Sequence, residues 1–259
     1  MATTAQRASS WTLASSFAQR IGSVVLLLAV WQIVAEAIHS RLLPSAGAVL
    51  IALAQECVHG PLLLSLGITL ARVAAAFAVA MVVGTAIGIV MGRSRTIDAL
   101  FDTWLVLLLN LPALVIIVLA YVWFGLTEAA AIGAVAVNKI PNTAVTLREG
   151  ARALDRRYAD MAASFHVGRW RTLRHVIMPQ LYPYIFAAAR SGLALVWKIV
   201  LIVELLGRSN GVGFEIQLYF QQFDVTRILA YSIAFMVVMQ LIEWAVFQPL
   251  ERRASVWRQ

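Results

Sequence analysis

Six apolar windows, near residues 21–38, 68–91, 103–123, 129–147, 181–205 and 228–248, dominate this sequence. Each is close to the about 20 residues that a helix needs to cross a ~30 Å hydrocarbon core. In lipid a backbone must satisfy its own polar groups, which leaves helices or a closed barrel, and windows of this length select helices. A soluble alternative fails on charge: only 13% of residues are charged and 61% are hydrophobic, too little polar surface for water. The sequence therefore predicts an all-α polytopic membrane protein of about six transmembrane helices. A membrane domain spans residues 21–250, between an N-terminal segment 1–20 and a C-terminal tail 251–259. Arg20 ahead of the first window and Ala35-Glu36-Ala37 within it resemble a cleavable leader. The length of the run, and the five spans its removal would leave, favour a retained helix.

Charge sets the orientation. The net charge of +8 is not spread along a soluble face, so nucleic acid is not the expected partner. Fifteen arginines fall in the N-terminus, the second-to-third connection, the central segment with the adjoining Arg190, and the C-terminus, whereas the other connections hold only Arg41, Arg208 and Arg227. Positive-inside bias puts both termini and the central segment in the cytoplasm. Cys57 stands alone and the histidines at 39, 59, 166 and 175 lack ligand spacing, so no metal site is assigned. No catalytic residue is assigned either. There is no HExxH motif, no nucleophile–base set and no GxxxxGK[ST] phosphate loop.

Within the spans, Ala76, Ala80, Gly84, Gly88 and Gly92 line one helical face with small residues, a seat for a closely packed helix in the same or another subunit. Asn110-Leu-Pro112 and Asn138-Lys139-Ile-Pro141-Asn142 predict kinks facing protein or water. Lys139 and Lys198 are costly at membrane depth. Two readings stay open: an ion pair with Glu149 or Glu204, or a place on a wet pathway with Asn110, Pro112, Asn138 and Glu204. An ion-coupled secondary transporter would favour several acids near the bilayer midplane, and Glu36, Glu204 and Glu243 sit instead near span ends.

The central segment, 148–180, is basic and amphipathic. Ala151, Leu154, Tyr158, Met161 and Phe165 form a helical stripe, Gly168 offers a break, and a second short helix is expected over 169–178, ended by Pro179. Such a segment could rest on anionic lipid or dock a partner.

Asp160-Met161-Ala162 followed by Val176-Ile177-Met178-Pro179 resembles the signature of permease subunits of binding-protein-dependent ABC importers: Glu-Ala-Ala, three residues, Gly, nine residues, Ile-x-Leu-Pro. His166 stands at the glycine position, so the turn is expected to shift to Gly168. Ala29-Val-Trp31-Gln32, Leu43-Pro44-Ser45, Ser65-Leu66-x-x-Thr69-Leu70-x-Arg72-Val73, Trp123-Phe124-Gly125, and Glu204 with Gly211-Val-Gly213 are similar to the nitrate, sulfonate and taurine branch. The resemblance implies a bacterial inner-membrane subunit with a cytoplasmic coupling helix between its fourth and fifth spans. Asp160, Ala162, Ala163, Ser164, Phe165, His166, Val167, Gly168, Arg169 and Arg171 would contact the ATPase. It further implies a second copy of the permease, two ATP-binding subunits that use ATP and Mg, and a periplasmic substrate-binding protein. This chain itself would carry no cofactor. The cargo would be a small anion such as a sulfonate, taurine or nitrate, the alternative being a neutral heterocyclic vitamin precursor.

Overall fold

The computed structural model describes residues 3–40 and 42–247. Arg41, the tail 251–259, and the side chains of Arg7, Arg20 and Arg169 lie outside the described residues. Eleven α-helices follow one another with no strand among the described residues: α1 (Thr3–Ile38), α2 (Ala46–Val58), α3 (Leu62–Arg93), α4 (Arg95–Asn110), α5 (Ala113–Phe124), α6 (Glu128–Arg152), α7 (Arg156–Ser164), α8 (Arg169–Thr172), α9 (Met178–Gly207), α10 (Val212–Gln221) and α11 (Val225–Ile242). Short polar side chains start many of them. The oxygens of Ser45, Ser94, Thr127, Asp155 and Asp224 accept the backbone N–H groups of Ala48, Ile97, Ala130, Arg157 and Arg227, satisfying first-turn donors of α2, α4, α6, α7 and α11.

Helices occupy all six expected segments. Leu62–Arg93, Trp170–Gly207 and Val225–Ala245 are long and apolar enough to cross a bilayer, and α4 with α5 makes a fourth when the pair is taken together. Gly22–Ile38, within α1, is a shorter apolar helix. The segment 129–147 is α6, where Asn138, Lys139 and Asn142 dilute the apolar run.

The third expected span is not one helix. α4 and α5 meet at 97°. Leu111 precedes a proline and is extended (φ −71°, ψ 125°), and Pro112, with no N–H, heads α5 instead of continuing α4. Pro141, by contrast, stays inside an unbroken, buried stretch of α6.

The small-residue stripe packs within the chain. A methyl group at Gly84 would meet the Thr143 Cβ at 2.6 Å, one at Gly88 the Ala144 carbonyl, and one at Gly92 the Ala151 Cβ at 2.6 Å. α3 therefore lies directly against α6, and α9 closes the same core through Val196, Ile199, Val200 and Val203. Small residues allow this approach where water drives nothing together.

Candidate functional site

The central segment is assembled stepwise along the chain. Leu147 and Ala151 at the end of α6 pack with Ile177, Leu181 and Ala188, which anchors the segment to α9. The expected stripe then breaks, because Asp155 caps a new helix; its carboxylate accepts the Arg157 N–H at 2.9 Å, and that bond holds it below the usual carboxylate range. Among the described side chains of α7 only Ala162 turns inward, while Tyr158 and Met161 are about half exposed and Phe165, just beyond, is 77% exposed. Ala163, Ser164, His166, Val167, Gly168 and Arg171 are exposed too.

The turn after α7 does not move to Gly168. His166 takes the left-handed conformation itself, with φ 53°. Its N–H reaches the Ala163 carbonyl at 3.0 Å and the Val167 N–H reaches Ala162 at 2.9 Å. That pair of bonds is the helix stop in which glycine is favoured at the left-handed position. A histidine there costs about 1 kcal/mol, and the bonds hold it in place.

Pro179 does not end a helix either. α8 runs through a π-helical turn (Leu173–Ile177) straight into α9. The Met178 N–H bonds five residues back to Leu173, a wider register that lets a proline follow in the first turn of α9.

The proposed pathway residues are not gathered in one place. Lys139 is 2% exposed and forms no ion pair among the described residues; its side chain lies over Gly192, where a methyl group would collide with it. Glu204 and Glu149, its expected partners, are engaged elsewhere. Lys198 is exposed on α9 beside the Trp197 ring at 5.5 Å. Asn110 and Pro112 are exposed at the α4–α5 break, and Asn138 is half-buried. Glu204 faces no opening: it is fully buried.

Glu204 is instead the centre of a network that periodicity alone did not reveal. Arg72 Nη1 donates to its Oε1 at 2.6 Å, Thr69 Oγ1 to its Oε2 at 2.8 Å, and the Gly213 N–H to Oε2 at 2.9 Å. The other edge of Arg72 grips Glu128 (2.6 and 2.9 Å), with Asn210 alongside, and Arg208 reaches Glu128 at 2.7 Å. The Arg72 hydrogen bonds hold the half-exposed Glu128 carboxyl below its ordinary range. α3, α6, α9 and the start of α10 are thus tied at one end. Gly211 (φ 103°) and Gly213 are required by proximity, since a side chain at the first would strike the Glu204 carboxylate and at the second the Leu201 carbonyl. The signal was present in Ser65, Thr69 and Arg72, one helical face carrying polar groups inside an apolar run, which must find partners in the protein.

A bundle of long apolar helices with an exposed amphipathic helix at one end has the build of a polytopic integral-membrane protein. The profile of the family described as binding-protein-dependent transport system inner membrane component matches residues 84–247, and the chain belongs to that family. It is the permease subunit of an ABC importer. It is 28% identical over 254 residues to the taurine transport system permease protein TauC of Escherichia coli (strain K12), covering 95% of this chain and 92% of that one. With the putative aliphatic sulfonates transport permease protein SsuC of Bacillus subtilis (strain 168) it shares 27% over 235 residues, 90% and 85% of the two chains. The bicarbonate transport system permease protein CmpB of Synechococcus elongatus is 28% identical over 162 residues, 62% of this chain and 58% of that one. Among solved structures, that of an amino acid ABC transporter with histidines superposes with a TM-score of 0.58 at 22% identity, over 74% of this chain and 93% of the other, a likeness of fold.

Proposed function

We propose that this permease moves a small anion of the sulfonate or inorganic oxyanion kind, as one of two copies in a complex with two ATP-binding subunits and a periplasmic binding protein. ATP and Mg are handled by the ATP-binding subunits. The relatives' names, for sulfonates, taurine and bicarbonate, favour an anion over a neutral heterocycle. The observation that carries the reading in this chain is Lys139: a buried ammonium with no ion pair among the described residues. An uncompensated charge at membrane depth is costly, and a passing anion would offset it once α6 and α9 part around Lys139, which is closed off from any opening in the single chain. Lys198, Asn110 and Pro112 are exposed on the single chain and Asn138 is half-buried, and all four would line the pathway where a second copy closes it. In proteoliposomes holding the whole complex, Lys139→Met and Lys198→Met should slow uptake of a labelled sulfonate by about tenfold, ~1.4 kcal/mol of barrier, with assembly intact. Unchanged uptake in both variants, or uptake of a neutral pyrimidine in preference to every anion offered, removes the anion pathway.

Both termini and α7 lie in the cytoplasm in this reading, and the Arg72–Glu204 network at the periplasmic end. With Cys57 replaced by serine, a cysteine at Ser209 should react with an impermeant thiol reagent applied from outside, and one at Thr172 only after the cells are opened. Reversed labelling overturns the orientation.

A further inference from the structure

Two hollows meet at the turn between α3 and α4. One, about 420 Å³, is an apolar groove walled by Ile87 and Val90 of α3, Phe101, Trp104 and Leu108 of α4, and Pro141 of α6. The other, about 710 Å³, reaches Asp160 of α7 and has a mixed wall, its charged part made by Arg93, Arg95, Arg152 and Asp98. Met91 lines both. The first turn of α4 stands between them, with Ile97 on the groove and Asp98 on the larger cavity. Both volumes fall in the range of about 300–1,000 Å³ that suits small-molecule ligands.

The charges around the larger cavity are unequally used. Arg148 and Arg152 share Asp98, and are further held by Asp102 and Glu149. Asp155 engages Arg157. Arg93 and Arg95 are exposed and have no acidic partner among the described residues; of the lining acids only Asp160 is similarly unengaged. Two guanidinium groups thus stand available at the polar end of an apolar groove.

We propose that a phospholipid with an anionic headgroup binds here, an acyl chain along the α3–α4–α6 groove and its phosphate on Arg93 and Arg95. Guanidinium forks match phosphate oxygens, and a basic pocket between membrane helices at the cytoplasmic side meets the leaflet where anionic headgroups attract such residues. The assignment rests on the proposed orientation, which the thiol labelling checks separately. The same cavity is walled by Asp155, Asp160 and Ile177, so the headgroup would occupy the joint from which α7 hangs.

Native mass spectrometry of the detergent-purified permease–ATPase complex, incubated with equimolar phosphatidylglycerol and phosphatidylcholine, tests this. Phosphatidylglycerol should be retained with about twenty-five-fold preference, two arginine charges at about fivefold each. Arg93→Gln with Arg95→Gln should erase the preference in a complex that still assembles, and Arg93→Lys with Arg95→Lys should restore most of it. Equal retention of the two lipids, or a preference that survives the glutamine pair, overturns the site, even where the labelling supports the orientation. Displacement of the lipid by millimolar inorganic phosphate would assign the arginines to a soluble anion and overturn it too. So would rapid oxidation of Phe101→Cys, in the Cys57→Ser background, to a covalent permease dimer whatever lipid is present, because the groove would then belong to a second copy.

Discussion

Arg72→Met should destabilise the permease by about 3–5 kcal/mol, because it strands Glu204 as a charge with no counter-charge in a fully buried setting. Glu128 loses the same guanidinium at 2.6 Å but keeps Arg208 at 2.7 Å, so the penalty falls on Glu204. Thr69 and the Gly213 N–H still bond Glu204, yet neutral donors do not replace a counter-charge at this depth. Adding Glu204→Gln removes the stranded charge and keeps an acceptor for both donors, so the double variant should regain about half of the loss. Arg72→Lys should fall between, as an ammonium cannot bridge two carboxylates with a planar fork. Equilibrium unfolding in detergent micelles measures all three. An Arg72→Met protein within about 0.5 kcal/mol of the parent would mean that the network is incidental to stability, a result ordinary for exposed ion pairs and not for one buried like this.

Apolar run length and small-residue spacing carry far in lipid. The six windows each hold helix, and the Ala76–Gly92 stripe identified the face that α6 covers, because only residues without bulk permit that approach. Three features escaped for reasons of scale. α2 and α10 are 13 and 10 residues long, too short to stand out among apolar neighbours. Asn110-Leu-Pro112 marked a break, but its 97° depends on how α5 packs against α6 and α9. The partner of Arg72 lies 132 residues away, a separation that no local period encodes.

The central segment divides in the same way. Its exposed apolar face was legible from the spacing of Tyr158, Met161 and Phe165, whereas its boundaries were decided by backbone bonds. Asp155 caps a fresh helix inside the stripe, the π-helical turn passes through the site of the expected stop, and His166 accepts a conformation that the histidine side chain itself disfavours. A family signature with glycine at that position now has a physical reading here: the 166 position is the left-handed seat of a helix stop, whichever residue fills it.

Phe165→Ala should weaken attachment of the ATP-binding subunit by at least tenfold and lower transport per ATP hydrolysed. Phe165 is the most exposed large apolar side chain of the segment, at 77%, and Tyr158 and Met161 extend the same face. Buried at a partner's surface, such an aromatic anchor is commonly worth about 2 kcal/mol or more. His166→Gly makes the opposite test. It relieves about 1 kcal/mol of left-handed strain while keeping the helix stop, so attachment and coupling should be preserved or strengthened. A segment resting on lipid would respond differently, because overall charge and hydrophobicity set that affinity and alanine at one position changes both little. Co-purification stoichiometry and the ratio of substrate moved to ATP hydrolysed separate the two. If Phe165→Ala leaves both at parental values, the segment is not the handle through which ATPase closure moves the attached helices.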